Sequence, residues 1–496
     1  MEWKLTREPL ASLSADAIVV FHFQKRESLL GVSREIDEAL GFRISNLISL
    51  GEITGEFGEI TSVHNWGKIP SGRVFVVGLG KESQLDLPSF KDAVAAAARK
   101  AKNKGVRSLG IGCPSIVTER YNPVDVVQSI VEGMELGVYE HHTYKKDEKK
   151  KKVSSVWVSS NTLRESAFEA GKQRGQIFSR ATNYARYLVH EPGNRMTPEQ
   201  LAEEARQIAE KRNLSAEIIT TERLKELGMD GLLSVAQAGA HDPYMLVLSY
   251  QGAPDSQEVL GLIGKGVTFD AGGLQIKPAR GMEQMKEDMA GAAAVLAAMD
   301  AIGELQPHCN VCAIIPACEN GVGTKAYRPG DVISTFSGKT VEIQHTDAEG
   351  RVVLADAIAY AKRLGVTKIV DVATLTGAVQ VALGHEATGL MSNDEEWAEE
   401  VKAAARIAGE RVWELPMYEE YEGYLKSDIA DLKNEGGSPA GAIQGGLFLK
   451  AFAEDTPFVH LDIGGTVRIP KERGIFVKGA TGVMVRTLIQ LSIRLG

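Results

Sequence analysis

The sequence predicts an α/β protein: a small amino-terminal α/β domain, then a larger α/β domain with a mostly parallel central sheet flanked by helices. Three observations predict it. The chain has 496 residues, beyond the ~250 to 300 at which a single core stops growing, so two domains are expected. Its amino-terminal part alternates short apolar runs with helical patterns. From about residue 240, longer apolar runs alternate with helices at the spacing of parallel strands joined by crossovers.

Composition narrows the class. With 44% hydrophobic and 24% charged residues, the chain has ample material for a core. A net charge of -9 weighs against a general nucleic-acid binder. The opening MEWKLTREPL lacks a signal-type apolar stretch, and no apolar run reaches the ~18 residues of a membrane span. A cytoplasmic protein with no membrane partner is expected. The four cysteines, Cys113, Cys309, Cys312 and Cys318, are too few for a disulfide framework. His308-Cys309-x-x-Cys312 has the look of half a zinc site, but no second C-x-x-C follows. CNVCAIIPAC therefore reads as a buried strand with cysteine as a small hydrophobe.

Taken in order, AIVVFHF, RVFVVGLG and SLGIGCP read as strands and SFKDAVAAAARKAKNKG as a helix. GLGKES at 78–83 resembles the start of a dinucleotide fingerprint, but Ser83 stands at the third glycine position, so a strand-exit turn is favoured. The charge run KKDEKKKK at 145–152 marks a solvated segment near a domain boundary. A polar helix is expected over about 164–190, and Thr197-Pro198-Glu199-Gln200 supplies a cap and a proline for the next. The boundaries are placed at 1–160 for the first domain, 161–190 for a linking helix and 191–496 for the second domain.

In that larger domain VLGLIGKGVTF, NVCAIIPAC, KIVDVATLTGA and FVHLDIGG read as strands; DMAGAAAVLAAMDAIG and GRVVLADAIAYAKRLG read as helices. Ligands of open α/β sheets gather at the carboxyl ends of strands, where KGVTFD, TLTG and HLDIGG end. Acids collect there too: Asp270 at a strand end, Asp288 at the start of an alanine-rich helix, Asp347 and Glu349 at the start of another. Helix dipoles favour an acid by up to ~1 kcal/mol, which accounts for Asp288 and Glu349 but not for all four. Two such charges at ~4 Å repel by about 4 kcal/mol at an effective dielectric of ~20. If the four converge they need cations, and oxygen-rich clusters suit divalent metals. A carboxylate dyad for acid/base work would need only two.

KGVTFDAGG, MKEDMAGAA, HTDAEGR, ATLTGA, SDIADLKN and HLDIGGT, in that order, resemble the leucine (cytosol) aminopeptidase family, with TDAEGR the most specific block. The resemblance covers about residues 180–496; the amino-terminal domain resembles the family in size and α/β pattern only. It implies a catalytic metallopeptidase domain over 191–496. Its activity would remove the first residue, leucine-type and apolar by preference, from peptides with a free amino terminus, through a metal-bridging hydroxide. One ion would be held by Lys265, Asp270, Asp288 and Glu349 and the other by Asp270, Asp347 and Glu349, two divalent ions per subunit, manganese or zinc favoured. Lys277 would donate to the oxyanion and Arg351 would hold bicarbonate. Met285, Thr374, Leu375 and Gly377 would line the pocket for the first side chain. A homohexamer is implied as well.

Four positions depart from the family pattern: His345, Ala271, Gly321 and Gly464. None replaces an implied ligand, and a supporting hydrogen-bond role is expected of His345. The rival readings are a different two-metal amide hydrolase and, as a second function, a DNA-binding architectural role. The first usually recruits histidine ligands, and the second has only the 145–152 run in its favour.

Overall fold

The computed structural model describes residues 1–141, 144–146 and 152–496. Most of the 145–152 charge run lies outside the described residues. The chain forms two compact units, Met1–Arg180 with Pro470–Lys478, and Ala181–Ile469 with Gly479–Gly496. Passage from one to the other occurs inside the helix Glu165–His190.

The amino-terminal unit is a six-stranded sheet between two apolar layers. Its strands lie in the order Glu2–Thr6, Ser155–Ser159, Ser108–Gly112, Ala17–His22, Arg73–Gly78, Ile60–His64. Every pairing is parallel except the last. Ala17, Val19 and Phe21 face the helices Leu87–Asn103 and Pro123–Gly137. Ile18 and Val20 face Gly31–Ala39 and Arg43–Ser49. Strands covered on both sides in this way read as continuous apolar runs. GLGKES forms the exit from Arg73–Gly78 and a short 3-10 turn at Glu82–Gln84.

The larger unit is built on nine strands. Phe458–Asp462, Lys368–Ala373, Val259–Gly264 and Asn310–Asn320 lie side by side and parallel. Antiparallel neighbours flank them, Thr388–Ser392 on one side and Tyr244–Gln251 on the other. Helices Glu349–Arg363 and Gly441–Ala453 pack Val353, Ile358 and Phe448 against Ile263, Ile314 and Ile369. Thr197 caps the helix Pro198–Arg212 by accepting from Gln200 N–H, as the sequence predicts. The four cysteines are free and buried, three of them within or beside Asn310–Asn320.

One detail of the sheet positions the chemistry. VLGLIGKGVTFD is two strands, Val259–Gly264 and Gly266–Asp270, docked end to end along Asn310–Asn320. Ile263 pairs with Ile314 and Gly266 with Ala317 in one register, which puts Lys265 opposite Pro316. Proline has no N–H to give the ladder. Lys265 accordingly bonds elsewhere: its N–H donates to Val372 O at 3.1 Å and its carbonyl accepts from Ala292 N–H at 2.9 Å.

Candidate metal centre

Five segments deliver the charged groups. Lys265 sits at the break between the strands and Asp270 ends the second of them. Asp288 follows the 3-10 turn Met285–Glu287 and precedes the helix Ala290–Leu305. Asp347 lies in the loop before Glu349–Arg363, and Glu349 is that helix's first residue. Lys277 closes the loop after Asp270.

The structure brings these six together. Lys265 Nζ lies 2.8 Å from Asp288 Oδ2 and 2.8 Å from Glu349 Oε1, and donates to Thr374 O at 3.0 Å. Lys277 Nζ lies 2.7 Å from Asp270 Oδ2 and 2.5 Å from Asp347 Oδ1. Ligand atoms of Asp270, Asp347 and Glu349 all fall within 4.8 Å of one another. Lys265, Asp270, Asp288 and Glu349 are buried, and Glu349 Oε2 has no hydrogen-bond partner among the described residues.

Electrostatics follow from this crowding. Burial pushes the Asp347 carboxyl up to about 7, repulsion from Asp270 and Glu349 adds to it, and Lys277 opposes it. Burial likewise holds Asp288 well above the carboxylate range, against the pull of Lys265. For Lys265 burial favours the neutral amine, but Asp288, Glu349 and Asp270 outweigh it and raise its pKa. Lys277 is raised by the same balance, with Asp270 its strongest attraction. Four carboxylates share two ammonium groups, a deficit of positive charge in a low-dielectric site. Hard oxygen donors in that number, with an unpartnered oxygen on Glu349, fit divalent cations.

A ring of neutral groups fixes the acids. Asn320 Nδ2 donates to Asp270 Oδ1 at 2.8 Å and to Thr346 O at 3.1 Å. Thr374 Oγ1 donates to Asp288 Oδ1 at 2.7 Å. The Asn434 side chain accepts from Gln344 N–H at 2.8 Å and donates to His345 O at 2.7 Å, pinning the loop that carries Asp347. His345 accepts the Asp347 backbone N–H through Nδ1 at 3.2 Å. A Cβ at Gly350 would lie 2.5 Å from Lys265 Cε, so only glycine there lets Lys265 lie across the helix start. Asn320, Asn434 and Gly350 went unnoticed as site residues in the sequence. Asn434 does fall in SDIADLKN, which, like HLDIGGT, supplies no expected site residue.

The remaining expected residues fall into two groups. Arg351 is buried, donates from Nη1 to Asn434 O at 2.7 Å, and leaves Nε without a hydrogen bond among the described residues. A Cβ on Gly445 would lie 2.9 Å from Leu375 Cδ2 and 3.7 Å from Arg351 Nη2, so Leu375 and Arg351 flank one small residue. Asp462 accepts from Leu375 N–H at 3.1 Å and Thr376 Oγ1 at 2.7 Å, shaping the strand exit before the helix Gly377–Leu383. Met285 opens the turn that leads to Asp288 and is half-buried.

Comparison with known proteins identifies the family. Residues 183–489 match the cytosol aminopeptidase family, catalytic domain, and residues 19–148 match the amino-terminal domain of the same family. The chain is 43% identical over 496 residues to the probable cytosol aminopeptidase of Alkaliphilus metalliredigens, covering 99% of each. It is 42% identical to that of Solibacter usitatus, again over 99% of each. Among solved structures it resembles a mutant of tomato leucine aminopeptidase with TM-score 0.90 and 33% identity, over 100% of this chain and 96% of that one. The bottromycin maturation enzyme BotP in complex with Mn superposes with TM-score 0.84 at 31% identity, over 97% and 99%. With both of its domains matched and its acids gathered at the strand ends, the chain belongs to the cytosol aminopeptidase family of metal-dependent exopeptidases.

Proposed function

We propose that this chain removes the amino-terminal residue of peptides, apolar and leucine-type by preference, using two divalent ions. Lys265, Asp270, Asp288 and Glu349 would hold one ion, and Asp270, Asp347 and Glu349 the other. The observation that carries the reading is the convergence of four carboxylates and two lysines at the carboxyl ends of adjoining strands. Manganese or zinc fits this donor set. The chemistry that bound divalent ions supply is polarisation of a carbonyl and generation of a nucleophile from water at neutral pH.

The chain's own groups do the rest. Lys265 binds a cation only as a neutral amine, so loading must take the proton that Asp288 and Glu349 hold on it. Lys277, held between Asp270 and Asp347, donates from Nζ to the oxygen that gains charge in the transition state. Arg351 offers its unpartnered guanidinium edge to a bicarbonate ion, which fits a two-pronged contact. Met285, Thr374, Leu375 and Gly377 shape the pocket for the first side chain, with Leu375 supplying apolar surface against the core. Thr374 also steadies Asp288. Domain boundaries at 1–160, 161–190 and 191–496, a homohexamer and a cytoplasmic location complete the proposal; no helix is long and apolar enough to cross a membrane among the described residues.

The test is hydrolysis of leucine amide by metal-free protein with and without added manganese, beside aspartate amide. Metal-dependent turnover of leucine amide with little of aspartate amide is expected. Full turnover after chelation would refute the two-metal reading.

A further inference from the structure

The larger unit buries one titratable pair that the proposed chemistry leaves unused. His460 and Asp371 stand opposite each other on the parallel strands Phe458–Asp462 and Lys368–Ala373. Their register continues across the sheet, from Met391 through His460, Asp371 and Ile263 to Ile314. Residues in register share a face, so the pair stands in the apolar layer that Ile263 and Ile314 form with Glu349–Arg363 and Gly441–Ala453. Both side chains are fully buried. Two apolar residues of similar size would fill that place without the desolvation cost.

Asp371 takes up only one side of the imidazole. His460 Nδ1 donates to Asp371 Oδ1 and Oδ2, 2.9 Å from each. Nε2 is buried and has no hydrogen-bond partner among the described residues. Burial favours the neutral ring, but Asp371 and then Asp462 outweigh it and raise the His460 pKa, with Arg351 opposing them. That balance favours an imidazolium with an N–H on each nitrogen.

Arg351 supplies a second buried nitrogen without a partner, its Nε. Its charge is felt at His460, and two successive glycines of Gly441–Ala453 lie over both residues. A Cβ on Gly445 would lie 3.7 Å from Arg351 Nη2, and one on Gly446 would lie 2.8 Å from Sδ of Met391, the cross-strand neighbour of His460. Asp462, which acts on both cations, is already taken up by Leu375 N–H and Thr376 Oγ1. Two buried donors under one helix turn, each with an N–H left over, call for a shared acceptor.

We propose that His460 is a further binding residue for the anion at Arg351: the guanidinium edge takes two oxygens of a planar oxyanion of the carbonate class, and His460 Nε2–H donates to the third. The inference rests on the role given to Arg351 above. A fork on one side and a single donor on the other match an ion with three oxygens in one plane. Asp371, behind the ring, turns the positive end of the pair toward that ion.

The experiment is calorimetric titration of the full-length, manganese-loaded chain, freed of unbound metal, with bicarbonate and, separately, with acetate, which lacks the third oxygen. The parent should bind bicarbonate at one site per chain and at least about tenfold more tightly than acetate, the worth of one hydrogen bond between charged groups. His460→Leu should bring the two anions to within about twofold of each other and leave acetate binding unchanged. His460→Gln keeps an N–H near the Nε2 position and should retain more of the preference. Asp371→Asn leaves the ring neutral whichever nitrogen keeps the proton, should weaken bicarbonate at least about fivefold, and serves if His460→Leu does not fold. Arg351→Gln should abolish the binding of bicarbonate. A preference that survives His460→Leu, or undiminished binding by Asp371→Asn, would overturn this inference and leave the role of Arg351 standing. Binding that survives Arg351→Gln, or no saturable binding to the parent, would overturn both.

Discussion

Lys265 Nζ lies 2.8 Å from Glu349 Oε1, an approach made possible by the glycine that follows Glu349. Gly350→Ala would drive a methyl group into Lys265 Cε, 2.5 Å away. Although it changes no charged group, this variant should lose bound metal and at least about tenfold in kcat, since groups that orient ligands are worth 10- to 100-fold in metal affinity. Elemental analysis beside kinetics checks it. Full metal content with unchanged kcat would show that the contact relaxes freely.

The two lysines should separate by phenotype. Lys265→Ala deletes a proposed ligand, so one ion per subunit should bind much more weakly. Lys277→Ala should keep both ions and lose about 10²- to 10³-fold in kcat, the usual cost of one oxyanion donor. The reverse pattern of metal loss would exchange the roles given to the two residues.

Asn320 and Asn434 act on the acids through hydrogen bonds alone. Asn320→Ala frees Asp270 Oδ1 from its 2.8 Å contact and should raise the metal dissociation constant by about 10- to 100-fold. Asn434→Ala releases the 344–348 loop and should do likewise. Competition against a fluorescent chelator measures both; affinities within twofold of the parent would remove them from the site.

Asp356 offers a pH test outside the metal centre. Burial pushes its carboxyl up to about 7 although it accepts N–H groups from Phe336 and Leu232. Its folded pKa is above the unfolded value of ~3.9, so between about pH 4 and 7 the folded state binds more protons. Its contribution is thus greatest below pH 4 and is lost as pH rises through 7. Asp356→Asn cannot titrate, so its melting temperature should gain on the parent as pH rises from 4.5 to 8. A constant difference across that range would refute the shift.

Much of this was legible in the sequence because the signals are local. Continuous apolar runs marked Val259–Gly264 and Lys368–Ala373, and HTDAEGR held two of the acids within three residues. Less legible were features made by distant partners. Nothing near Lys265 announces that Pro316 interrupts its ladder, and Asn320 and Asn434 matter only through residues far along the chain. The return of Pro470–Lys478 to the amino-terminal unit also rests on tertiary contacts, such as Ile475 N–H to Asp92 Oδ1 at 2.8 Å, with no periodic signature.

The end-to-end docking of two strands on Asn310–Asn320 also bears on how the protein comes apart. Asp270 rides on the shorter piece, Gly266–Asp270, whose ladder bonds run to a single neighbour, whereas Val259–Gly264 is clamped on both sides. Local opening should therefore begin at the shorter piece. Amide hydrogens of Gly266–Asp270 would exchange ahead of the rest of the sheet, and the rate at which they do so would set the pace at which a bound ion escapes.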